Sequence, residues 1–431
     1  MQERRRILAV ILSVILMLQP VPAVAEMLDG NDIWTAEDAT VENENGFVSE
    51  NPEYETEENE ATDEFQSEFS ADENSVITAE EYGEVQAGAI AADASADGIS
   101  LFSIGYYTDS YGAQLEGNSK AIYDQLVENY VINYKDHLDS LKISFNLPEV
   151  IRFDAVVKNG KFFKEGEGYE AASYRLGREM QAATDAFSYD FPQAFWFKGS
   201  AYSCGIACKT DASSSTGYTG AFSSVTFDPS ERQCRENAHT RMGEFMTAVQ
   251  KTVKKLQAET TGMTREQKVK AIHDYICKNV IYNNDGSSWV HSAGSLFLDE
   301  NPAFVCEGYA KSMRILCYYM GINCACVSGL ARSTATGSAG PHMWNYIQME
   351  DNRWYLVDAT WDDGTSTLYS DYLLVGRNSK GRYITIGEER EEYTSFSTQA
   401  DGSAGPIFIL PALTEKSYAE NATAAPLPTV T

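Results

Sequence analysis

Between Glu26 and Ser100 the chain carries 23 aspartates and glutamates and not one lysine or arginine. A run such as ENENGFVSENPEYETEENEATDEFQSEFSADEN repels itself and offers little apolar surface to bury, so it is expected to stay disordered. Whatever folds must be built after residue 100. The 431-residue chain has a formal net charge of −30; the leader accounts for +2 and the acidic run for −23, which leaves −9 for the remainder. A negative body argues against nucleic acid as a partner. The acidic run reads as a solvated spacer that holds the rest away from a surface, with binding of a basic partner as its other possible use.

The spacer follows MQERRRILAVILSVILMLQPVPAVAEM. Arg4, Arg5 and Arg6 give a basic start, Ile7 to Leu18 an apolar run, and Ala23-Val24-Ala25 a small-x-small site. The run is too short to span a bilayer and leads into acid, which is the pattern of a signal peptide removed after Ala25. No later segment reads as a membrane span. A secreted, extracellular protein with no membrane contact after leader removal is expected. Leu427-Pro428-Thr429 is similar to a cell-wall sorting motif, but no hydrophobic tail or basic cluster follows it, so no anchor is expected. The expected plan is a signal peptide over 1–25, an acidic spacer over 26–100, a helical and β part over 101–260, a core over 261–410 and a flexible tail over 411–431.

Periodicity sets the elements. Leu101 to Tyr111 reads as β-like, and Ile122, Leu126, Tyr130 and Val131 recur at helical spacing. KISFNLPEVIRF is extended around Pro148; the text from Arg178 is helical until Phe191-Pro192 and strand-like beyond. SSVTFDP reads as a strand, and the text from Ser230 to Glu259 as one long helix. Thr264 and Gln267 form a capping box that opens a helix with the stripe Val269, Ile272, Ile276 and Val280. CEGYAKSMRILCYYM is a helix stopped by Gly321 at C′. INCACVSGLA, HMWNYIQM and RWYLVDATW are strands, the last two joined at Glu350-Asp351-Asn352; GPIFIL, around Phe408, is a short final strand. Helices, then a central helix, then an antiparallel sheet make an α+β fold.

Eight cysteines occur. Cys204-x3-Cys208, Cys324-x-Cys326 and Cys234 near His239 each lack the second half of a zinc site, so no metal is expected, and buried thiols or a disulfide account for them. Cys306, in VCEGYA, is open to four readings: a buried spacer, half a disulfide, a metal ligand or a nucleophile. At the first turn of a helix the free N–H groups and the dipole favour its thiolate, and Gly308 leaves room for a close approach. A base must come from elsewhere. Of five histidines, His137 and His239 sit in polar helical text, His273 reads as a half-exposed helix position and His291 as a loop residue. His342 opens a strand just after Gly340-Pro341 and shares a face with Trp344 and Tyr346. Trp354, Leu356 and Asp358 share a face of the next strand, so pairing brings Asp358 near His342, directly or diagonally. Cys306, His342 and Asp358 then have the order nucleophile, base, orienter.

AFVCEGYAKSMRILCYYMGINCACVSG followed by PHMWNYIQMEDNRWYLVDATWDD resembles the transglutaminase-like superfamily, through V-C-x-G-Y-A, H-x-W-N and W-Y-x-V-D-x-T-W-D-D, over about Thr264 to Leu374. YDFPQAFWF is similar to a segment seen ahead of that core. The resemblance implies a papain-like fold whose central helix carries the cysteine against an antiparallel sheet. It implies Cys306 as nucleophile, His342 as base and Asp358 as orienter, acting on protein or peptide amides through a thioester. Tyr282 is the candidate second oxyanion donor, and Trp344 and Trp361 either wall the acyl site or are core aromatics. A lysine amine as acceptor gives transglutamination; water gives a protease or deamidase; a non-catalytic binding module on the same fold is the third reading. HSAGSLFLDENPAFVC lacks the Ala-Tyr-Gly-type segment common before the cysteine. No calcium loop of the EF-hand type is present, so no cofactor is expected.

Overall fold

The computed structural model describes residues 111–424 apart from 133–140, 160, 198–201, 229–237, 333, 335, 365–366, 383, 395–396, 399–403 and 406–407. The leader, the spacer, the β-like text before Tyr111, His137 and Cys234 lie outside the described residues.

The N-terminal part wraps a three-stranded sheet in helices. α1 (Gly117–Val127) precedes β1 (Ile143–Asp154), and α2 (Glu167–Asp190) runs until the Phe191-Pro192 break. β2 (Tyr202–Thr210) and β3 (Tyr218–Phe227) complete an antiparallel sheet in the order β1-β3-β2. Pro148 stays inside β1, where the pairing register shifts between Asn146 and Ile151. The irregularity frees the ladder from needing its missing N–H.

Of the helix expected over Ser230 to Glu259, residues 230–237 lie outside the described residues; Ala238–Arg241 form a 3-10 turn, and α3 spans Met242–Glu259. α4 (Arg265–Asn279) has the full capping box, with Thr264 and Gln267 bonded reciprocally. β4 (Ile281–Tyr282) pairs in parallel with β5 (Ala303–Phe304), which leads straight into α5 (Cys306–Tyr319). α5 ends in a Schellman turn: Gly321 has φ +70, Ile322 N–H donates to Cys317 O and Gly321 N–H to Tyr318 O.

β6 (Cys324–Ala331), β7 (Gly340–Gln348) and β8 (Trp354–Val357) form the centre of a five-stranded antiparallel sheet. The third strand stops at Val357, earlier than expected, because Asp358 turns to cap α6 (Ala359–Asp362). β9 (Leu373–Val375) and β10 (Arg390–Tyr393) complete the order β9-β8-β7-β6-β10. One face carries Cys324, Cys326, Met343 and Ile347 into the main core with Met313 and Leu316 of α5. The other face holds a smaller core of Trp344, Tyr346, Leu356, Tyr372 and Ile386. The shared faces read from alternation are therefore those of the folded chain.

Two C-terminal expectations change. Phe408 is not in a strand; it is buried against the Tyr111 ring, 5.1 Å between centroids. Residues 411–424, expected within a flexible tail, dock on the sheet: Leu413 is buried, Thr414 N–H donates to Trp354 O at 3.1 Å, and Tyr418 of α7 (Tyr418–Ala424) packs edge-on to Tyr355. The apolar pair Leu413 and Tyr418 is too sparse to show as a pattern, yet it finds the open edge of β8.

Gly329 controls the packing of β6 against β10, since an added Cβ would lie 2.0 Å from Glu391 O and 2.8 Å from the Trp344 ring. Gly329→Ala is expected to lower stability by about 2–3 kcal/mol in urea titration. Gly243→Ala, on an exposed position of α3 where a Cβ meets nothing, is expected to raise it by roughly 0.5–1 kcal/mol.

Candidate active site

The Cys306 turn is held from both sides. Val305 N–H donates to Val290 O at 3.0 Å, and Ile281 N–H to Pro302 O at 3.0 Å. A Cβ on Gly308 would sit 2.5 Å from the Phe304 ring, so the close approach that this glycine permits is made by its own neighbour on β5. Farther down α5, Asn345 Nδ2 on β7 donates to Ala310 O at 3.0 Å, and Arg314 Nε donates to Tyr189 O at 2.6 Å. The helix that carries the thiol is thus fixed to the sheet and to α2. Cys306 is 5 % exposed and its N–H is at the first helical position, where no intrahelical acceptor exists.

The sheet brings the partners. Val357 pairs with Asn345, so Asp358 stands diagonally from His342. His342 Nε2 is 2.8 Å from Asp358 Oδ2, and the same imidazole interacts with the Cys306 thiol. With Nε2 committed to the carboxylate, Nδ1 is the nitrogen left for the thiol. Burial disfavours the imidazolium, but the Asp358 carboxylate, the Cys306 thiolate and the bonds to both outweigh it and raise the His342 pKa to about 9. Burial pushes the Asp358 carboxyl up, yet His342, Arg390 and the Trp361 N–H hold it below the usual value. The three residues singled out in sequence therefore meet, as a thiol, an imidazole and a fully buried carboxylate.

The other candidates fall out differently. Tyr282 lies on β4 beside the strand that delivers Cys306, and its ring stacks on Tyr309 at 6.4 Å. Trp361, half-buried, stacks on His342 at 5.2 Å between centroids. Trp344 stacks on His342 at 5.9 Å but is 1 % exposed and faces Arg390. With no open face it does not wall a substrate site. His273 is not half-exposed: it is fully buried, with Nε2 3.3 Å from Asp362 Oδ2 and Nδ1 3.1 Å from Asp274 Oδ1. α6 packs over that flank of α4, which the stripe alone does not reveal.

Sequence reasoning missed Arg390. Its Nη2 lies 2.8 Å from Asp358 Oδ2, and both side chains are fully buried. In GEEREEY it is one cation among acids, and only the β6–β10 pairing takes it to the site. Also missed was an ion cluster one step along α5: Glu307 accepts from Lys311 Nζ at 2.7 Å and lies 2.9 Å from His291 Nδ1. These three line a cavity of about 330 Å³ walled by Phe195, Trp196 and Trp289. The described cysteines are all free thiols. Burial pushes Cys208 up to about 11 and Cys326 to about 12, so neither is reactive near neutral pH.

Residues 250–359, the stretch that carries Cys306, His342 and Asp358, match the model of the Transglutaminase-like superfamily. No curated protein matches the chain. Among solved structures, a candidate cysteine protease from Cytophaga hutchinsonii is similar at 14 % identity and TM-score 0.23, over 50 % of this chain and 80 % of its own. The periplasmic domain of TgpA from Pseudomonas aeruginosa, bound to ethylmercury, is similar at 14 % identity and TM-score 0.22, over 36 % of this chain and 65 % of its own. A structure described as a TGase is similar at 15 % identity and TM-score 0.22, over 39 % and 46 %. The chain thus spans less than two thirds of the length of the second and third.

The raised pKa of His342 has a sign for stability. Its folded value of about 9 exceeds an unfolded value of about 6.5, so its contribution is complete below about pH 6.5 and is lost as pH rises toward 9. Over that window the chain should lose on the order of 2–3 kcal/mol more than His342→Ala in denaturant titrations. In Cys306→Ser, NMR titration should find the His342 pKa below about 9, because the thiolate charge is gone.

Proposed function

We propose that the chain is a thiol acyltransferase in which Cys306 is the nucleophile, His342 the acid and base, and Asp358 the orienter. The observation that carries this is the single imidazole held at 2.8 Å by a buried carboxylate and interacting with a thiol at a helix N-terminus. Thiolate Sγ adds to the carbonyl carbon of a protein or peptide amide, and the Cys306 N–H supports the oxyanion. Tyr282 is the proposed second donor and Trp361 the proposed wall. As the C–N bond breaks, the leaving amine takes the His342 proton and a thioester remains.

A lysine amine then attacks the thioester, gives its proton to His342 and releases the thiolate, which is transglutamination. With water as acceptor the same steps make a protease or deamidase, and a module that binds without turning over is the remaining alternative. Among the described residues no helix is long and apolar enough to cross a membrane. Secretion after leader removal, the acidic spacer over 26–100 and the division of the body at residue 260 are parts of the same proposal.

Iodoacetamide labelling at pH 6, mapped by mass, is expected to select Cys306 over the buried thiols. His342→Ala should slow it at least tenfold, and uniform slow labelling unchanged by that mutation would sink the reading. Next, a glutamine peptide with a fluorescent amine should yield an amine conjugate absent in Cys306→Ala. Ammonia release without conjugate would mark a deamidase, and backbone cleavage a protease.

A further inference from the structure

Arg390 is a buried cation whose described hydrogen bonding goes to one group. Its Nη2 donates to Asp358 Oδ2, the same oxygen that His342 Nε2 approaches, both at 2.8 Å. Among the described residues its Nε and Nη1 reach no acceptor. Aromatic faces cover the remainder of the guanidinium: Cζ lies 4.1 Å from the centroid of Trp361, 5.0 Å from Trp344 and 5.3 Å from Tyr372. Trp344 and Trp361 also stack on His342, so one aromatic box encloses both cations and the carboxylate between them. Burying a guanidinium with its fork half used is costly, and general stability would be served as well by an apolar side chain. The arrangement is aimed at Asp358.

Its consequence follows from charge. With Arg390 present, loss of the His342 proton leaves Asp358 still balanced by a cation. Without it, the same loss leaves a buried, uncompensated carboxylate, and the carboxylate holds the imidazole proton tightly. The other groups in reach do not alter the sign. Glu389 is buried, its carboxyl is raised by burial, and it accepts from Ile384 N–H at 2.9 Å. The Tyr372 hydroxyl, also raised by burial, accepts from Arg382 N–H at 3.1 Å. Cys306 also raises the His342 pKa, and it is unchanged when Arg390 is replaced.

We propose that Arg390 is a positioning residue: it pins Asp358 Oδ2 against His342 and, by balancing that carboxylate, leaves the imidazolium able to release its proton to the leaving amine. The proposal rests on the thiol acyltransferase reading. The proton moves from His342 to the departing nitrogen as the C–N bond breaks, and Arg390 keeps its own throughout.

The test is the pH dependence of Cys306 alkylation by iodoacetamide, with NMR titration of His342, in the full chain and in Arg390→Met, Arg390→Lys and His342→Ala. Arg390→Met is expected to move the His342 transition up by about one pH unit. Arg390→Lys, which keeps the charge but cannot stack or fork, should move it less, by roughly 0.3 unit or more. If Arg390→Met does not fold, Arg390→Lys decides by the same reading. A transition unmoved in the folded variants, with only a lower melting temperature, overturns the proposal and leaves Arg390 a packing residue. Alkylation that His342→Ala leaves unchanged would instead overturn the thiol-enzyme reading beneath it.

Discussion

One carboxylate oxygen, Asp358 Oδ2, lies 2.8 Å from an imidazole nitrogen and 2.8 Å from a guanidinium nitrogen, in a place closed to solvent. Groups so buried are tolerated only when each charge has a partner in good geometry. The three come from different parts of one sheet: His342 from the start of β7, Asp358 from just past β8, and Arg390 from the start of β10. The sheet register is therefore under a chemical constraint as well as an apolar one. A slip of one residue in any of the three would turn a charge toward apolar neighbours and leave two others unpaired. Gly329 belongs to this constraint, because it lets β10 and the Trp344 ring come close enough for the box to shut.

The Cys306 thiol is held by a different device. A helix N-terminus offers N–H groups and a favourable field, but only a rigid helix offers them at a fixed point. α5 is tied at its start through Val305, along its length through Asn345 and Arg314, and at its end through the Gly321 turn. Arg314 also reaches Asp190, 3.8 Å away, whose carboxylate accepts from the N–H of Gly112 and the hydroxyl of Tyr123. The N-terminal part thereby braces the helix that carries the thiol. This gives residues 111–227 a role in positioning the site.

Much of this was legible in the sequence, where local rules act alone. The Thr264 capping box, the Gly321 stop and the alternation that puts His342, Trp344 and Tyr346 on one face are short-range statements with one physical solution each. The nearness of His342 and Asp358 was also accessible, because a two-strand hairpin converts spacing into proximity, and the family resemblance added Cys306. Arg390 was not, since its place depends on β10 returning to pair with β6 across about sixty intervening residues. The burial of His273 depended on α6 packing over it. Leu413 and Tyr418 were read as tail because two apolar residues set no period. In each case the missing information was a tertiary neighbour.

The described residues hold two Cys–His–Asp groupings, and their surroundings separate them. Cys277 and His273 of α4 lie behind α6 and meet Asp362 at its end, with the thiol 3.9 Å from His273 Nε2 and donating at 3.3 Å to Ala359 O. Cys277 is near the C-terminal end of α4, where the helix field opposes a thiolate, and burial raises its pKa. The His273 side chain has no exposed surface, so no substrate carbonyl can approach that pair. Asp362 Oδ2 faces His273 Nε2, and both Asp362 oxygens also accept from the Tyr372 N–H. His342 keeps a little exposure where His273 has none, and the Cys306 thiol sits at the favourable end of its helix. The two aspartates close opposite ends of one helical turn, so the inner grouping clamps the end of α6 while the outer one lies at its start.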